Sequence, residues 1–201
     1  MIETKADLLR EMSLLGACAD ARDYVRKHPS PNAEEIWSRC DRADWMCWLA
    51  GHLRPTLAAE FALRVADRAV RFRAFDALCA VGMVSDAAKL GELAPVSCAE
   101  SAKKAHVAVV AAAKSAYAAP SGSYGSVPAA IYSASEAVFA SMASWDAARR
   151  AERSAYWEAR LAGFAVAHAG EEAHEKAYGA ALGEQLAELR AMWPEIAGGE
   201  Q

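Results

Sequence analysis

Apolar side chains recur at spacings of three and four along most of this chain, and that period sets its structure more than any other feature. Between Pro55 and Arg73 the series Leu57, Phe61, Val65, Ala69 and Phe72 marks one face of a helix. Two further stripes, Trp157/Leu161/Phe164/His168 and Tyr178/Leu182/Leu186/Leu189/Trp193, do the same near the C-terminus. No run of Val, Ile or Thr alternates with polar residues over the length of a strand. Alanine makes up about a quarter of the 201 residues, and it is the best helix former because it loses no side-chain entropy. Small faces also let helices approach near the short end of the usual ~8–10 Å range. The expected fold is therefore all-α: a compact, alanine-rich bundle of about eight to ten helices. No internal repeat of roughly 30 to 45 residues is present, which favours a bundle over an open solenoid.

Boundaries follow from caps and breakers. Thr4 with Asp7 forms a capping-box arrangement for a first helix, after which Gly16 marks a break or a close contact. A second helix carrying Cys18, Ala21, Tyr24 and Val25 stops at His28-Pro29-Ser30-Pro31. Asn32 caps a short helix from Ala33 to Cys40, and Asp41 is expected to cap the next, with Asp44 in its first turn. Pro55 suits a first helical position, and the helix after it is expected to reach Arg73. Breaks follow near Gly82 and Gly91. Pro95 is read as opening a long helix to Ala119, with His106, Val110, Ala113 and Tyr117 on one face. The Pro120–Pro128 segment, rich in Gly and Ser, reads as a loop. Helices are then expected over Ala129–Ala143, Trp145–Ala169 and Glu171–Trp193, with Pro194–Gln201 frayed. The chain is long enough for one domain, 1–201, or for a Trp/Cys-rich part, 1–94, followed by an alanine-rich bundle, 95–193.

The formal charge of −4 argues against nucleic-acid binding that relies on global positive charge. Five cysteines, an odd number without CxxC spacing, fit reduced thiols rather than a disulfide framework. Cys18, Cys79 and Cys98 sit among small residues and read as buried fillers. The N-terminus has neither the basic start nor the apolar stretch of a signal peptide. The longest apolar stretch, Ala105–Ala119, is interrupted by Lys114 and is too short to span a bilayer. A cytoplasmic protein is the expectation.

Four constellations bear on function. Trp37-Ser-Arg-Cys40-Asp41-Arg42-Ala43-Asp44-Trp45-Met46-Cys47-Trp48 places three tryptophans within twelve residues. It reads either as a recognition surface, since Trp and Arg dominate binding hot spots, or as a packed corner between short helices. Glu171-x-x-His174 has the spacing of carboxylate-bridged di-iron bundles, but a second such motif is missing, and a polar helix start explains it equally. Cys40 and Cys47 find no partner pair that completes a zinc set, and the chain has no nucleophile, P-loop or dinucleotide signature. Arg64, Arg68 and Arg71 share one helix face and Arg149, Arg153 and Arg160 another. Each stripe reads as contact with an acidic partner or with RNA, or as a solvated face pairing with Asp67, Asp76, Glu152 and Glu158.

The stretch Leu14-Leu-Gly-Ala-Cys18-Ala-Asp-Ala-Arg-Asp-Tyr-Val25, with Trp37-Ser-Arg-Cys40-Asp-Arg-Ala-Asp-Trp45-Met-Cys-Trp48-Leu-Ala-Gly51, resembles a family of all-helical immunity proteins found in bacterial toxin loci and phage genomes. The specific match spans about residues 14–54, and the remainder matches only as alanine-rich helix. The resemblance implies a non-enzymatic protein that binds and blocks a macromolecular effector. That effector would be a toxin or, in a phage context, a component of a bacterial defence system, as for an anti-CRISPR protein. The candidate contact residues are Trp37, Asp41, Asp44, Trp45, Trp48, Arg64, Arg68 and Arg71. No cofactor or metal is expected, nor a membrane or nucleic-acid partner, and an alanine-rich face could close a homodimer as readily as a bundle. The competing class is a metal-dependent helical enzyme using Glu171 and His174.

Overall fold

The helix starts with a capping side chain form where the sequence puts them. A computed structural model describes residues 1–118, 126–142, 146–165 and 171–198. Helix α1 spans Lys5–Leu14, and its Thr4 cap exchanges hydrogen bonds with Asp7 as a full capping box. Gly16 then turns the chain with φ +78°, a left-handed conformation that side chains disfavour. Helix α2 (Ala19–Lys27) ends before His28-Pro29, and Asn32 caps α3 (Ala33–Ser38) by accepting the Glu35 N–H.

The next start differs from expectation. Helix α4 (Ala43–Leu53) begins after Arg42 with no side-chain cap; Asp41 lies outside it. Asp44 is held instead by the Arg42 guanidinium, which donates to both carboxylate oxygens at 2.9 and 2.6 Å. Pro55 opens α5 (Pro55–Arg68) as expected, and the rod continues through a π-helical segment, Ala69–Ala74, into α6 (Phe75–Ala80). In an α-helix, residues five apart lie about 140° out of line. The wider i→i+5 turn brings them close to one face. That change is what allows Arg68 and Arg73 to reach the same buried carboxylate, Glu158.

Helix α7 covers Val84–Gly91, after a second left-handed turn at Gly82. Helix α8 runs from Ala99 to Ala118, so it starts four residues after Pro95 rather than at it. Its buried stripe is Ala102, Ala105, Val109, Ala112, Ala113 and Ala116; Tyr117 is exposed. Helix α9 (Ser126–Met142) already includes the last part of the Pro120–Pro128 segment, whose residues 120–125 lie outside those described. Helices α10 (Ala147–Ala165) and α11 (Glu171–Ala191) follow; Trp145 and residues 166–170 lie outside the described set. The C-terminal stretch forms α12 (Trp193–Ala197) instead of fraying. Its Ile196 and Ala197 are buried, and the Ala197 carbonyl accepts the Ile2 N–H, so the two ends of the described chain fasten together.

The fold is all-α, with α10 at its centre against α9, α5, α11 and α4. Two main cores result. One gathers the N-terminal helices through Val65 with Ala147, Ala151 and Ala155 of α10 and the α11–α12 end. The other is alanine-rich and packs the remainder of the α5–α6 rod with α7, α8, α9 and Leu161 of α10. The boundary between them falls inside α5, at Val65/Ala66, so the segments 1–94 and 95–193 interleave across both cores. Beside Ala50 and Ala147 of the first core, α4 crosses α10 so closely that a Cβ on Gly51 would lie 2.3 Å from the Ala148 Cα. Among the described residues no helix is long and apolar enough to cross a membrane.

Candidate functional site

The α3–α4 corner is the natural place to begin, because it holds the tryptophan cluster. Trp37 is only 4% exposed. Its indole N–H donates to the Leu189 carbonyl of α11 at 3.0 Å, and its ring tilts against Trp193 with centroids 5.1 Å apart. Arg190 adds a second tie by donating to the Cys40 carbonyl at 2.9 Å. Trp37 therefore anchors the N-terminal corner to the C-terminal helices and presents little surface to a partner. Trp45 and Trp48 are half-buried. The Trp45 ring lies between the Arg42 guanidinium, 4.3 Å from its centroid, and Tyr24 at 5.9 Å. Trp48 stacks on His52 at 4.3 Å.

These rings form one wall of an open cavity of about 260 Å³ between α1, α2, α3 and α4. Leu8, Met12, Ala21, Val25, Ile36 and Leu49 complete the apolar lining, and Trp37 and Cys40 contribute their buried edges. The carboxylates at this cavity come from Asp44 and from Glu152 of α10. Both also line a second cavity, of about 370 Å³, between α4, α10 and α11. Asp41, Arg42, Cys47, Tyr156, Tyr178 and Gln185 are among its other walls. The two cavities thus meet across a pair of carboxyl groups.

Their electrostatics differ. The fork from Arg42 satisfies Asp44, whereas Glu152 makes no hydrogen bond or ion pair with a described residue. Partial burial, then the charge of Asp44, raises the Glu152 pKa above the usual carboxylate value, because both disfavour its anion. Burial likewise raises the thiols of Cys40 and Cys47, so neither forms a thiolate readily. Cys18, Cys79 and Cys98 are exposed, contrary to their reading as core fillers; their small neighbours reflect helix ends and turns rather than a core.

Gln185, fully buried on α11, shows what lies behind the second cavity. Its amide donates to the Ala155 carbonyl at 2.9 Å and to Glu158 at 2.5 Å, while its carbonyl oxygen Oε1 has no partner. Glu158 is itself fully buried, with Arg73 at 3.3 Å and Arg68 at 4.0 Å. Arg68 also bonds Glu188 at 2.7 Å, Arg64 bonds Glu188 at 2.5 Å, and Arg73 bonds Glu184 at 2.6 Å. The arginine stripe therefore binds this chain's own α11, through acids more than a hundred residues away, rather than Asp67 or Asp76 nearby. Asp67 instead accepts the Val96 N–H.

The structure thus joins Trp37, Asp44, Trp45 and Trp48 at one cavity and Asp41 and Asp44 at the next. Arg64 and Arg68 belong to a separate ladder facing α11, and half-buried Arg71 sits on the π-helical segment. Glu152, Gln185, Tyr24, Tyr156 and Tyr178 are site residues that sequence reasoning did not single out. Glu152 and Gln185 did leave a signal: each is a polar residue within an apolar stripe, between Ala148 and Ala155 and between Ala181 and Leu189. His174 of the Glu171/His174 pair packs over Gly163 and edge-on to Phe164 at 5.6 Å. Among the described residues no group of three or more His, Cys, Asp or Glu side chains is arranged to hold a metal ion. No known protein family, curated protein or solved structure matches the chain.

Proposed function

We propose that this chain is a non-enzymatic protein-binding inhibitor that holds a segment of a protein effector in the groove between α1, α2 and α4. The observation that supports this reading is the open apolar cavity walled by half-buried Trp45, Trp48 and Tyr24. Large aromatic side chains left partly exposed around a concave apolar surface are what a binding hot spot requires. The occupant is a segment with an apolar side chain next to a basic one. Asp44 and Glu152 are the carboxylates lining the groove, and the chain's net charge of −4 favours approach by a basic partner. Occupancy would sequester or occlude the effector. The resemblance over residues 14–54 points to a toxin or to a defence component of the kind an anti-CRISPR protein blocks.

Purified candidate effectors of both kinds, assayed for their own activity with and without the chain, test this reading. Inhibition with direct binding is expected, weakened on the order of 30-fold or more by Trp45→Ala with Trp48→Ala, since hot-spot truncations remove at least about 2 kcal/mol. Arg71→Ala, away from the groove, should leave binding unchanged. A folded double variant that binds and inhibits as well as the parent chain would overturn the assignment.

A further inference from the structure

The second cavity carries a further inference, which rests on the binding role of the first. We infer that it receives the guanidinium of an arginine, borne by the same partner segment whose apolar side chain fills the tryptophan-lined groove. Three acidic residues line it, Asp41, Asp44 and Glu152, against one arginine, Arg42, whose donors are already directed at Asp44. Asp41 and Glu152 make no hydrogen bond or ion pair with a described residue and remain to attract a cation, with Arg153 and Arg149 offsetting part of the Glu152 charge from α10 itself. Gln185 supplies the independent observation. It is fully buried in the wall of this cavity, both protons of its amide are engaged with α10, and its Oε1 accepts nothing. A buried acceptor without a donor is unfavourable, and a ligand that brings an N–H removes the penalty.

The ligand must therefore bring positive charge and several donors in a plane, and offer no acceptor of its own. A guanidinium has five N–H donors in a fixed fork and no acceptor, so it can address a carboxylate and a carboxamide together. Tyr178 adds an aromatic ring to the lining, while Tyr156 already carries the chain's own Arg153 and Arg160 over its ring, at 5.5 and 5.6 Å. An anion would meet the excess of carboxylates, and an ammonium would reach them as a point charge without spanning to the amide. Because Asp44 and Glu152 line both cavities, an apolar residue and an arginine within one or two positions of each other can occupy the two at once.

The test titrates the full chain with N-acetyl-leucyl-arginine amide, its citrulline counterpart, its lysine counterpart and N-acetyl-leucine amide. Binding is followed by the Gln185 side-chain amide resonance and by the indole resonances of Trp45 and Trp48. The arginine compound is expected to bind at least tenfold more tightly than the neutral citrulline one, to exceed the lysine one, and alone to shift the Gln185 signal strongly. Glu152→Gln should erase most of the arginine preference. Equal binding of arginine and citrulline compounds, or a preference that survives Glu152→Gln, overturns the arginine assignment. If the leucine compounds bind at the tryptophans without any charge preference, only this inference fails. If none of the compounds perturbs Trp45 or Trp48, the groove reading falls with it.

Discussion

The tryptophan-rich core and the alanine-rich core solve the same packing problem in opposite ways. In the first, Trp37, Trp45 and Trp48 meet Met12 and Met46 across short helices, and the large, rigid indoles leave a cavity of about 260 Å³ open beside them. In the second, Ala102, Ala105, Ala112, Ala130, Ala134 and Ala137 let α8, α9 and α10 close against each other with little shape to mismatch. Alanine gives close approach and gains less per residue from burial, at about 25 cal/mol per Å² of apolar surface. Helix length compensates: α8 has 20 residues, where α3 has 6. The lesson is that concavity in this fold comes from residue size and helix shortness together, so the recognition groove belongs with the tryptophans and the rigid support with the alanines.

The largest effect is expected at the edge of the first core, where α4 crosses α10. Gly51→Ala forces a methyl group against the Ala148 backbone, where there is no flexible side chain to yield. A loss of about 3 kcal/mol or more is expected in denaturant unfolding, at the upper end for overpacked sites. A paired substitution sharpens the contrast. Ala134→Leu, fully buried in the alanine core, should destabilise by about 2 kcal/mol. Ala21→Leu, on the wall of the open cavity, should change stability by less than about 1 kcal/mol, because the added atoms enter existing space. If the two substitutions prove equally costly, the distinction between an open and a closed core fails.

The smallest effect concerns Glu152. Its folded-state pKa is raised, so the folded protein binds that proton more readily than the unfolded chain. Its contribution to stability therefore falls as pH rises from the ordinary carboxylate value of 4.5 through the raised folded value. Glu152→Gln should remove that decline and leave the variant slightly more stable above the window. The residue is only partly buried, with more than a third of its surface in solvent, so screening limits the gain to about a few tenths of a kcal/mol. Parallel thermal unfolding of both proteins across the acidic range checks the sign; a parent chain that gains stability relative to the variant as pH rises contradicts it.

Much of the secondary structure was legible because its causes are local. The Thr4 and Asn32 caps, the stop before Pro29, the Pro55 start and the Gly16 turn each depend on a few neighbouring residues. The failures share a different origin. Asp41 lost its capping role because Arg42 and Asp44 pair across the first turn, and the C-terminal residues form α12 because Ile2 and the first core hold them. The π-helical segment could not be read from Ala69–Ala74, since its residue types suit an α-helix; it accompanies the reach of Arg68 and Arg73 to Glu158.

By itself, then, the sequence determined that this protein is a helical bundle, where several of its helices begin and end, and that three of its six tryptophans fall together within residues 37–48. Helical period, capping and alanine content act over a turn or two and need no distant partner. Only the tertiary structure decided that Trp37 is an anchor while Trp45 and Trp48 face a groove, that the Arg64/Arg68 stripe serves α11, and that Glu152 and Gln185 line the cavity beside Asp44. Those roles depend on which helices lie next to each other, and long-range burial and charge pairing select neighbours that local sequence does not encode.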